Sequence, residues 1–184
     1  LIEIQSPDTG TTTTTYDPAG NPLTQTVARG ITASYRYDAL NRITQVRYPD
    51  LTLTTSFQYD TPSADCPIQE RYSQGELSQM QDPTGTTSWC YDRKGNVTQK
   101  NQSLHPPPGA DAGAGVGEAL RLTTRYAYTT SDQLREMIYP SGIAVQYQRD
   151  SLGQVNQVSI RDGGVTRPLI SSITYEPFGP PRQL

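Results

Sequence analysis

The sequence predicts an all-β protein, folded as an antiparallel β-meander with a thin core rich in Tyr. Three observations favour this fold. Turn-forming hexapeptides recur along the chain, the segments between them alternate polar and apolar side chains, and Thr and Tyr are abundant, with 12 Tyr in 184 residues. Thr and Tyr are typical of β-strands, and a period of two is typical of a strand with one buried face.

The composition limits how much the chain can bury. Leu, Ile, Val and Phe make up 33 of the 184 residues, about 18%. A chain with less than roughly 20% of these residues usually buries too little apolar surface to form a compact core. Disorder would fit that fraction, but a net charge of only −3 and Thr runs such as GTTTTTY at 10–16 count against it. An extended sheet that faces water on both sides needs fewer apolar residues.

Two classes of partner are not expected. No apolar run approaches the roughly 18–20 residues of a membrane helix, and no basic leader with an apolar region opens the chain. Lys and Arg are scattered singly in a mildly acidic sequence, so nothing favours binding to nucleic acid phosphates. We therefore expect no membrane span and no nucleic acid partner.

A hexapeptide that begins with Tyr-Asp, or a close variant of it, recurs through the sequence. The copies are YDPAGN at 16, YDALNR at 37, YDTPSA at 59, YDRKGN at 91, YTTSDQ at 128, RDSLGQ at 149 and YEPFGP at 175. The longer intervals hold a degenerate unit, YSQGEL at 72, and a Pro/Gly/Ala-rich inserted surface loop at 101–119. Residues 1–184 are therefore expected to form a single repeat segment of about seven or eight units.

The hexapeptides carry the residues of a tight turn. Asp is favoured at the first position of a type I turn, Pro at the second, and Gly at the fourth, where it takes a left-handed conformation and forms a G1 bulge. Further turn signals fall about halfway through units, as in YPDL at 48, QDPTG at 81 and YPSG at 139, so each unit should hold two strands and two turns. The candidate turn residues are Asp17, Gly20, Asp38, Asn41, Asp82, Gly85, Asp92, Gly95, Asp150 and Gly153.

Polar and apolar residues alternate in the predicted strands. In residues 31–37, Ile, Ala and two Tyr share one face, and in residues 51–59 two Leu, Phe and Tyr do the same. The Tyr that opens each motif falls on this apolar face, immediately before its turn. The repeat Tyr residues are Tyr16, Tyr37, Tyr59, Tyr91, Tyr128 and Tyr175.

These motifs resemble the YD repeats of the RHS family, which is found in bacterial polymorphic toxins, in the C component of insecticidal toxin complexes and in teneurins. The resemblance covers nearly the whole chain apart from the insert. In that family the repeats form a long antiparallel sheet that spirals into a hollow shell. The resemblance implies a curved sheet or a segment of such a β-shell, acting as a non-catalytic scaffold that encloses a toxin or other polypeptide cargo for delivery.

The sequence departs from the toxin-type members of that family in one respect. Those members end their repeats with a self-cleaving core that carries a D-P-x-G-L signature and acidic catalysts. Here DPTG at 82 is followed by Thr86, and DPAG at 17 by Asn21. Neither self-cleavage nor a toxin payload is therefore expected in these residues. The resemblance also implies a secreted, extracellular or cell-surface bacterial protein.

An enzyme is not favoured by the candidate residues. Paired carboxylates do serve glycoside hydrolysis at separations of roughly 5–10 Å, but a turn explains why Asp recurs at one register. His105 precedes three Pro and should be solvated, and nothing marks Ser141, in its turn, as activated. We predict no catalytic residue, no cofactor and no metal site.

Two non-catalytic alternatives remain open. Periodic Tyr, Trp89 and strand-face Thr, Gln and Asn can stack on and hydrogen-bond sugars, as in an extracellular carbohydrate-binding or adhesion module. Open sheet edges invite pairing with another chain, as in a fibre subunit. The predicted partners are therefore neighbouring YD repeats of the same or another chain, a toxin cargo or secretion-system component, and a glycan.

The two cysteines, Cys66 and Cys90, can form one disulfide or remain as separate half-buried thiols. Cys66 follows the Tyr59 motif in a loop-like segment, and Cys90 immediately precedes Tyr91. A meander that folds back between them can bring the two together, so we expect a Cys66–Cys90 disulfide. Such a bond would be typical of an exported protein, because disulfides are rare in the cytosol.

Overall fold

The computed structural model describes residues 2–105, 119–176 and 181–183, and in these residues the chain is all-β. Two short 3-10 helices, Leu51–Leu53 and Ile68–Glu70, lie between strands. The strands are β1 (Ile2–Ser6), β2 (Gly10–Tyr16), β3 (Pro22–Thr26), β4 (Thr32–Tyr37), β5 (Ile43–Arg47), β6 (Thr55–Tyr59), β7 (Leu77–Asp82), β8 (Gly85–Tyr91), β9 (Val97–Leu104), β10 (Leu120–Tyr128), β11 (Leu134–Ile138), β12 (Ala144–Arg149), β13 (Val155–Asp162), β14 (Val165–Ser171), β15 (Thr174–Tyr175) and β16 (Pro181–Gln183).

Fourteen strands, β1 to β14, form one sheet in which the order in space is the order in sequence. β15 and β16 form a separate antiparallel pair. Consecutive strands pair antiparallel, as β1 does with β2 and β12 with β13. Short hairpin turns produce this order, whereas parallel neighbours would need long crossover connections. The predicted all-β antiparallel meander is confirmed.

The chain divides into two compact units. The first unit consists of residues 1–63, 73–88 and 103–120, and the second of residues 64–72, 89–102 and 121–184. The segment 64–72, which we call the strap, therefore belongs to the second unit although the residues on either side of it in sequence belong to the first.

In the first unit the two faces of the sheet differ in chemistry. Cross-strand pairs on one face are Tyr35–Val46 and Phe57–Met80, and pairs on the other are Ser34–Arg47, Arg36–Gln45, Gln58–Gln79 and Thr13–Thr26. Hydroxyl groups on the polar face bond across strands: the Oγ1 atoms of Thr15 and Thr24 are 2.6 Å apart. The high Thr content is therefore used to build a polar sheet face.

The core is thin, as the composition predicts. The buried apolar residues of the described chain are few and mostly small, and the larger aliphatic side chains keep partial contact with water. Buried apolar residues are Ala33, Cys66, Cys90, Tyr91, Ala144 and Ile173. Small side chains such as Ser78, at 0% exposure, also lie buried within the sheet. Stability therefore depends heavily on strand pairing and turns.

The strand predicted for residues 51–59 begins later than expected. Leu51–Leu53 form a 3-10 helix, and β6 starts at Thr55. Asp50 caps this helix, since its carboxylate accepts the Thr52 N–H at 3.0 Å. The two Leu side chains are exposed. Alternation alone predicted a strand here, but the capping Asp after Pro49 favours a helical turn.

The degenerate unit YSQGEL is not a separate strand pair. Residues 61–76 leave the sheet after β6, and only the 3-10 helix Ile68–Glu70 and an isolated bridge from Arg71 to Tyr91 interrupt this loop before β7. The YSQG residues form the last turn of the loop, where the Glu76 N–H donates to the Ser73 carbonyl. The repeat that begins at Tyr59 therefore carries a long insertion in place of a tight turn.

The predicted insert at 101–119 is shorter at its start than the sequence suggested. Residues 101–104 are the last part of β9, and β10 begins at Leu120. Strand-compatible residues such as Asn101 and Ser103 were assigned to the loop because they adjoin its Pro-rich part. Residues 106–118, the rest of the predicted loop, lie outside the described residues.

Candidate functional site

Asp17 organises the first of the predicted turns. Its N–H donates to the Asn21 carbonyl at 2.9 Å, and its own carbonyl accepts the Gly20 N–H at 3.1 Å. Its carboxylate accepts the backbone N–H of Asn21 at 2.8 Å and the Nδ2 of the same residue at 3.0 Å. Gly20 has φ +88, and the strand register shifts at Tyr16. These are the features of a type I turn with a G1 bulge.

The same arrangement recurs at three other hairpins, which begin at Asp38, Asp92 and Asp150. In each, the Asp carboxylate accepts the N–H of the residue four positions later, at 2.9 to 3.0 Å. The residue before that N–H donor has a positive φ: Asn41 (60°), Gly95 (83°) and Gly153 (79°). The sequence predicted the Asp and the left-handed residue.

The residue after the left-handed position has a role that the sequence analysis missed. Asn21 and Arg42 lie just before the returning strands, since β3 and β5 begin one residue later. The Asn21 and Asn96 amides and the Arg42 Nε bond to the Asp of their own turn. The recurrence of Asn or Arg at this position was the available signal.

Side chains also link successive turns in the first unit. Asn21 Nδ2 donates to Asn41 Oδ1 of the next turn at 2.9 Å. The guanidinium of Arg42 donates through both terminal nitrogens to the Asp60 carboxylate and lies 4.4 Å from the centre of the Tyr59 ring. We call these connected segments, 16–21, 37–42 and 59–60, the first turn row.

The second unit contains an equivalent second turn row, made of residues 91–96, 128–133 and 149–154. Lys94 Nζ donates to Asp132 Oδ1 at 2.9 Å, and Asn96 Nδ2 donates to the same oxygen at 3.1 Å. Gln133 Nε2 donates to the Gly153 carbonyl at 3.4 Å. Asp132 occupies the left-handed position of its turn, with φ 59°. Both units thus connect every second hairpin through polar side chains.

Three carboxylates of the turn rows, those of Asp17, Asp60 and Asp132, have a lowered pKa. Arg42 hydrogen bonds lower the pKa of Asp60 from 3.8 to about 2. The Asn21 side chain lowers the pKa of Asp17, and the Lys94 ammonium lowers that of Asp132. A carboxyl group with a lowered pKa cannot hold the proton that a general acid must donate near neutral pH. The chemistry of these carboxylates suits hydrogen-bond acceptance.

The turn at 82–85 differs from the one predicted. Asp82 pairs directly with Gly85 across a two-residue loop, and the Asp82 carboxylate accepts the Thr84 N–H at 2.8 Å. Gly85 has φ +148, outside the left-handed helical region that a G1 bulge uses. A Cβ at Gly85 would lie 2.0 Å from the Ser103 carbonyl oxygen. Glycine is needed here for close backbone approach, and the predicted bulge is wrong.

The repeat Tyr residues differ in burial. Tyr91 is buried, Tyr37, Tyr59, Tyr128 and Tyr175 are half-buried, and Tyr16 is 40% exposed. Two of the hydroxyls bond to backbone: Tyr128 to the Val97 carbonyl and Tyr175 to the Val155 carbonyl, each at 2.9 Å. These rings therefore pack along the sheet beside the turns and anchor neighbouring strands.

A disulfide joins Cys66 of the strap to Cys90 of β8, with Cα atoms 5.4 Å apart. Both residues are buried, at 2% and 1% exposure. Within the strap, Arg71 Nε donates to the Cys66 carbonyl at 2.8 Å. The Tyr72 N–H donates to the Tyr91 carbonyl and so holds the strap to β8. The pairing expected from the sequence is the one that the structure contains.

The structure leaves the two residues considered for catalysis, His105 and Ser141, on the exposed surface. His105 is exposed and its N–H donates to the Thr84 carbonyl, while the exposed Ser141 accepts the Ile143 N–H through Oγ. Within residues 2–105, 119–176 and 181–183, no three metal-ligating side chains cluster together. No helix in that part of the chain is long and apolar enough to cross a membrane.

Comparison with known families explains the repeated turns. Residues 16–52, which span the hairpins of Asp17 and Asp38, match the RHS repeat family model. This segment is an RHS repeat. The family resemblance inferred from the motifs is thereby confirmed. No curated protein matches the chain.

Solved structures with a similar fold include chains of TcdB2-TccC3 complexes and of a Tc holotoxin pore. The TcdB2-TccC3 complex matches with a TM-score of 0.78 over 97% of this chain at 19% identity, and TcdB2-TccC3-Cdc42 with 0.77 over 98% at 18%. A Photorhabdus luminescens Tc holotoxin pore with a TccC3 mutation matches with 0.74 over 96% at 18%. The chain spans about 9% of the length of each solved chain. At this identity the likeness establishes the fold.

Proposed function

We propose that these residues are a wall segment of an RHS-type shell that encloses a polypeptide cargo for delivery. The observation that carries the proposal is the sheet itself, in which fourteen strands follow one another in sequence order. A sheet of this kind extends by adding repeats at its ends and needs no second layer to cover it. Its likeness to a TcdB2-TccC3 chain over 97% of its residues supports the same conclusion.

The polar surface of the sheet supports a wall that faces water. In the first unit, one face carries Thr, Ser, Gln and Arg pairs across its central strands. Burying such a face against another layer would cost the hydration of these groups without supplying partners. A wall with solvent on this side retains their hydration.

A scaffold without catalysis agrees with the turn rows. The Asp residues that recur at one register are occupied by N–H groups of their own turns, and Arg42 binds two of these carboxylates. A nucleophile or general base needs free lone pairs that point at a substrate. The lone pairs of these carboxylates accept hydrogen bonds within the fold, so we propose that the repeats are not an enzyme.

Export from the cell fits the buried disulfide. A cystine with both residues almost fully buried is typical of proteins that mature in an oxidising compartment. We therefore propose that the protein acts outside the cytosol that makes it. Partners would be adjoining repeats at the β1 and β14 edges of the sheet, together with the enclosed polypeptide.

The test uses the whole polypeptide to which these residues belong. We expect electron microscopy to show a hollow particle with this segment in its wall, and we expect an enclosed region to resist added protease. The variant Gly85→Val, which places a side chain against the Ser103 carbonyl, should open the wall and expose the enclosed region, whereas Asp8→Asn should not. A solid rod, a fibre, or a particle with nothing protected inside would refute the wall function.

A further inference from the structure

The sheet of the second unit has a polar face that carries an excess of positive charge. Register and hydrogen bonds place on this face Gln99, Asn101, Arg121, Thr123, Arg125, Glu136, Ile138, Ala144, Gln146, Ser159 and Arg161. This set contains three arginines and one carboxylate, although the chain as a whole has a net charge of −3. We call this set the basic face.

The one carboxylate of the basic face is already engaged. Glu136 accepts a hydrogen bond from Arg161 and another from Gln146, both at 2.8 Å. The Arg161 guanidinium holds the pKa of Glu136 below its usual range. Glu136 and Arg161 therefore neutralise each other, and the net positive charge of the face comes from Arg121 and Arg125.

Arg125 is positioned by a buried amide. Gln99 is 6% exposed, and its Oε1 accepts the Arg125 Nε at 3.3 Å. The Nε2 of Gln99 donates to Asn101 Oδ1 at 2.8 Å, and the same oxygen accepts the Thr123 hydroxyl at 3.0 Å. This network fixes the guanidinium through its inner nitrogen. Among the described residues, the outer nitrogens of Arg125 and the whole Arg121 guanidinium have no hydrogen-bond partner.

An open groove brings these groups together. It is lined by Arg121, Thr123 and Arg125 of β10 and by residues 138–140 and Gly142. Arg121 and Arg125 lie four residues apart on one strand, roughly 13 Å along its axis. Two unpaired cations on one side of a groove attract anionic groups.

We propose that this groove binds an extended acidic polypeptide segment, with Arg121 and Arg125 each receiving one carboxylate. In an extended chain, residues i and i+4 point to the same side and are separated by the same distance as the two arginines. The preferred segment therefore carries Asp or Glu at i and i+4. The proposal rests on the wall function, because it identifies the chemistry of an enclosed polypeptide.

A polypeptide is favoured over a sugar because the exposed charged groups that line the groove are the two arginines, although Tyr139 also lines it. Sugar sites usually stack a ring against the saccharide. Tyr126 follows Arg125 on β10 and therefore points to the opposite face, where burial, and after it the nearby Tyr139, raises its pKa. Tyr139 is thus the ring in the groove on which a glycan could stack, and the sulfated disaccharide in the test below addresses that alternative.

Binding of fluorescent synthetic peptides to the whole chain, measured by anisotropy at low salt, tests this proposal. A peptide with Asp at i and i+4 should bind more tightly than a peptide of the same composition with adjacent Asp residues. Arg121→Gln and Arg125→Gln should each weaken binding by about two- to fivefold, the range of exposed ion pairs. Arg167→Gln, an equal charge change on the opposite face of β14, should leave binding unchanged.

Several results would overturn the proposal. Equal binding of the two peptides would show an electrostatic attraction that does not depend on the spacing of the acidic residues. Unchanged binding in both arginine variants would place the peptide elsewhere. Tighter binding of a sulfated disaccharide than of either peptide would assign the groove to a glycan. Electron microscopy of the same variants separates this outcome from the wall function, because neither arginine substitution should alter the particle.

Discussion

Arg42 bonds to Asp38 in its own turn and to Asp60 in the next motif, so one guanidinium joins two hairpins of the first turn row. Both carboxylates are partly accessible to water, at 23% and 32% side-chain exposure. The ion pairs are therefore not buried, but each is supported by backbone hydrogen bonds to the same carboxylates. This geometry adds a side-chain link between two hairpins that the β5–β6 strand pairing also joins.

Asp60→Asn should remove an acid-sensitive part of the stability. The folded pKa of Asp60 is about 2, below the roughly 3.9 of an unfolded Asp. The stabilisation is therefore complete above about pH 4 and is lost as the pH falls through about 2. Thermal melting from pH 7 to pH 2 should give a higher Tm for wild type than for Asp60→Asn at neutral pH. The two Tm values should converge at the acid end.

Asp8→Asn is the matched control for this titration. Asp8 is exposed and forms no ion pair with a described residue. Its variant should follow the wild-type melting profile throughout. A constant Tm difference between wild type and Asp60→Asn from pH 7 to pH 2 would contradict the ion-pair assignment and point to a steric effect of the amide.

Gly20→Val should destabilise the protein by about 1–2 kcal/mol, because a β-branched residue is forced to a positive φ. A side chain at Gly20 would meet nothing within 4 Å, so the cost comes from the backbone alone. Gly20→Asn should cost less, since Asn41 occupies the equivalent position with φ 60°. Chemical denaturation of both variants measures this difference, and equal costs for Val and Asn would argue against a backbone cause.

Gly85→Ala should destabilise more than Gly20→Ala, although both remove a glycine with positive φ. The added methyl group at Gly85 meets the Ser103 carbonyl oxygen and two further backbone atoms of residues 103 and 104. Backbone cannot rotate aside as a flexible side chain can, so we expect a loss of about 2–3 kcal/mol, at the upper end for overpacking. A smaller loss at Gly85 than at Gly20 in urea denaturation would show that β9 shifts freely.

The sequence predicted the turns because their chemistry is local. Asp17, Gly20 and Asn41 act within five consecutive residues, so a short motif contains all the information. The turn at 27–30 was missed because VARG has neither Asp nor Pro, although its Gly30 has φ +74. The Asp162–Val165 hairpin was also missed, despite a Gly-Gly pair that is typical of two-residue loops.

Contacts between distant residues were not predictable from the same motifs. The bond from Asn21 to Asn41 and the basic face around Arg125 depend on which strands become neighbours and in which register. The need for Gly85 likewise follows from the approach of Ser103, which lies on β9. A periodic sequence gives the strand order, whereas side-chain networks across strands require the register at each pair.

The disulfide can be tested separately from the turns. Reduction of Cys66–Cys90 should lower the free energy of unfolding by about 3 kcal/mol, because the bond closes a loop of 24 residues and restricts the unfolded chain. The strap would lose its one covalent link within the second unit while keeping the hydrogen bond from the Tyr72 N–H to the Tyr91 carbonyl. Urea denaturation with and without reductant measures the difference.

The double variant Cys66→Ser, Cys90→Ser is the control. Its free energy of unfolding should equal that of the reduced wild type, and added reductant should not change it. Because both sulfur atoms are buried, reduction of the folded protein should be slow and should speed up at urea concentrations that open the second unit. Free thiols can be counted with a chromogenic reagent at each step. A wild type that loses its disulfide at once under native conditions would show that the strap detaches readily. Unchanged stability after reduction would mean that noncovalent contacts such as the Tyr72–Tyr91 backbone hydrogen bond hold the strap unaided.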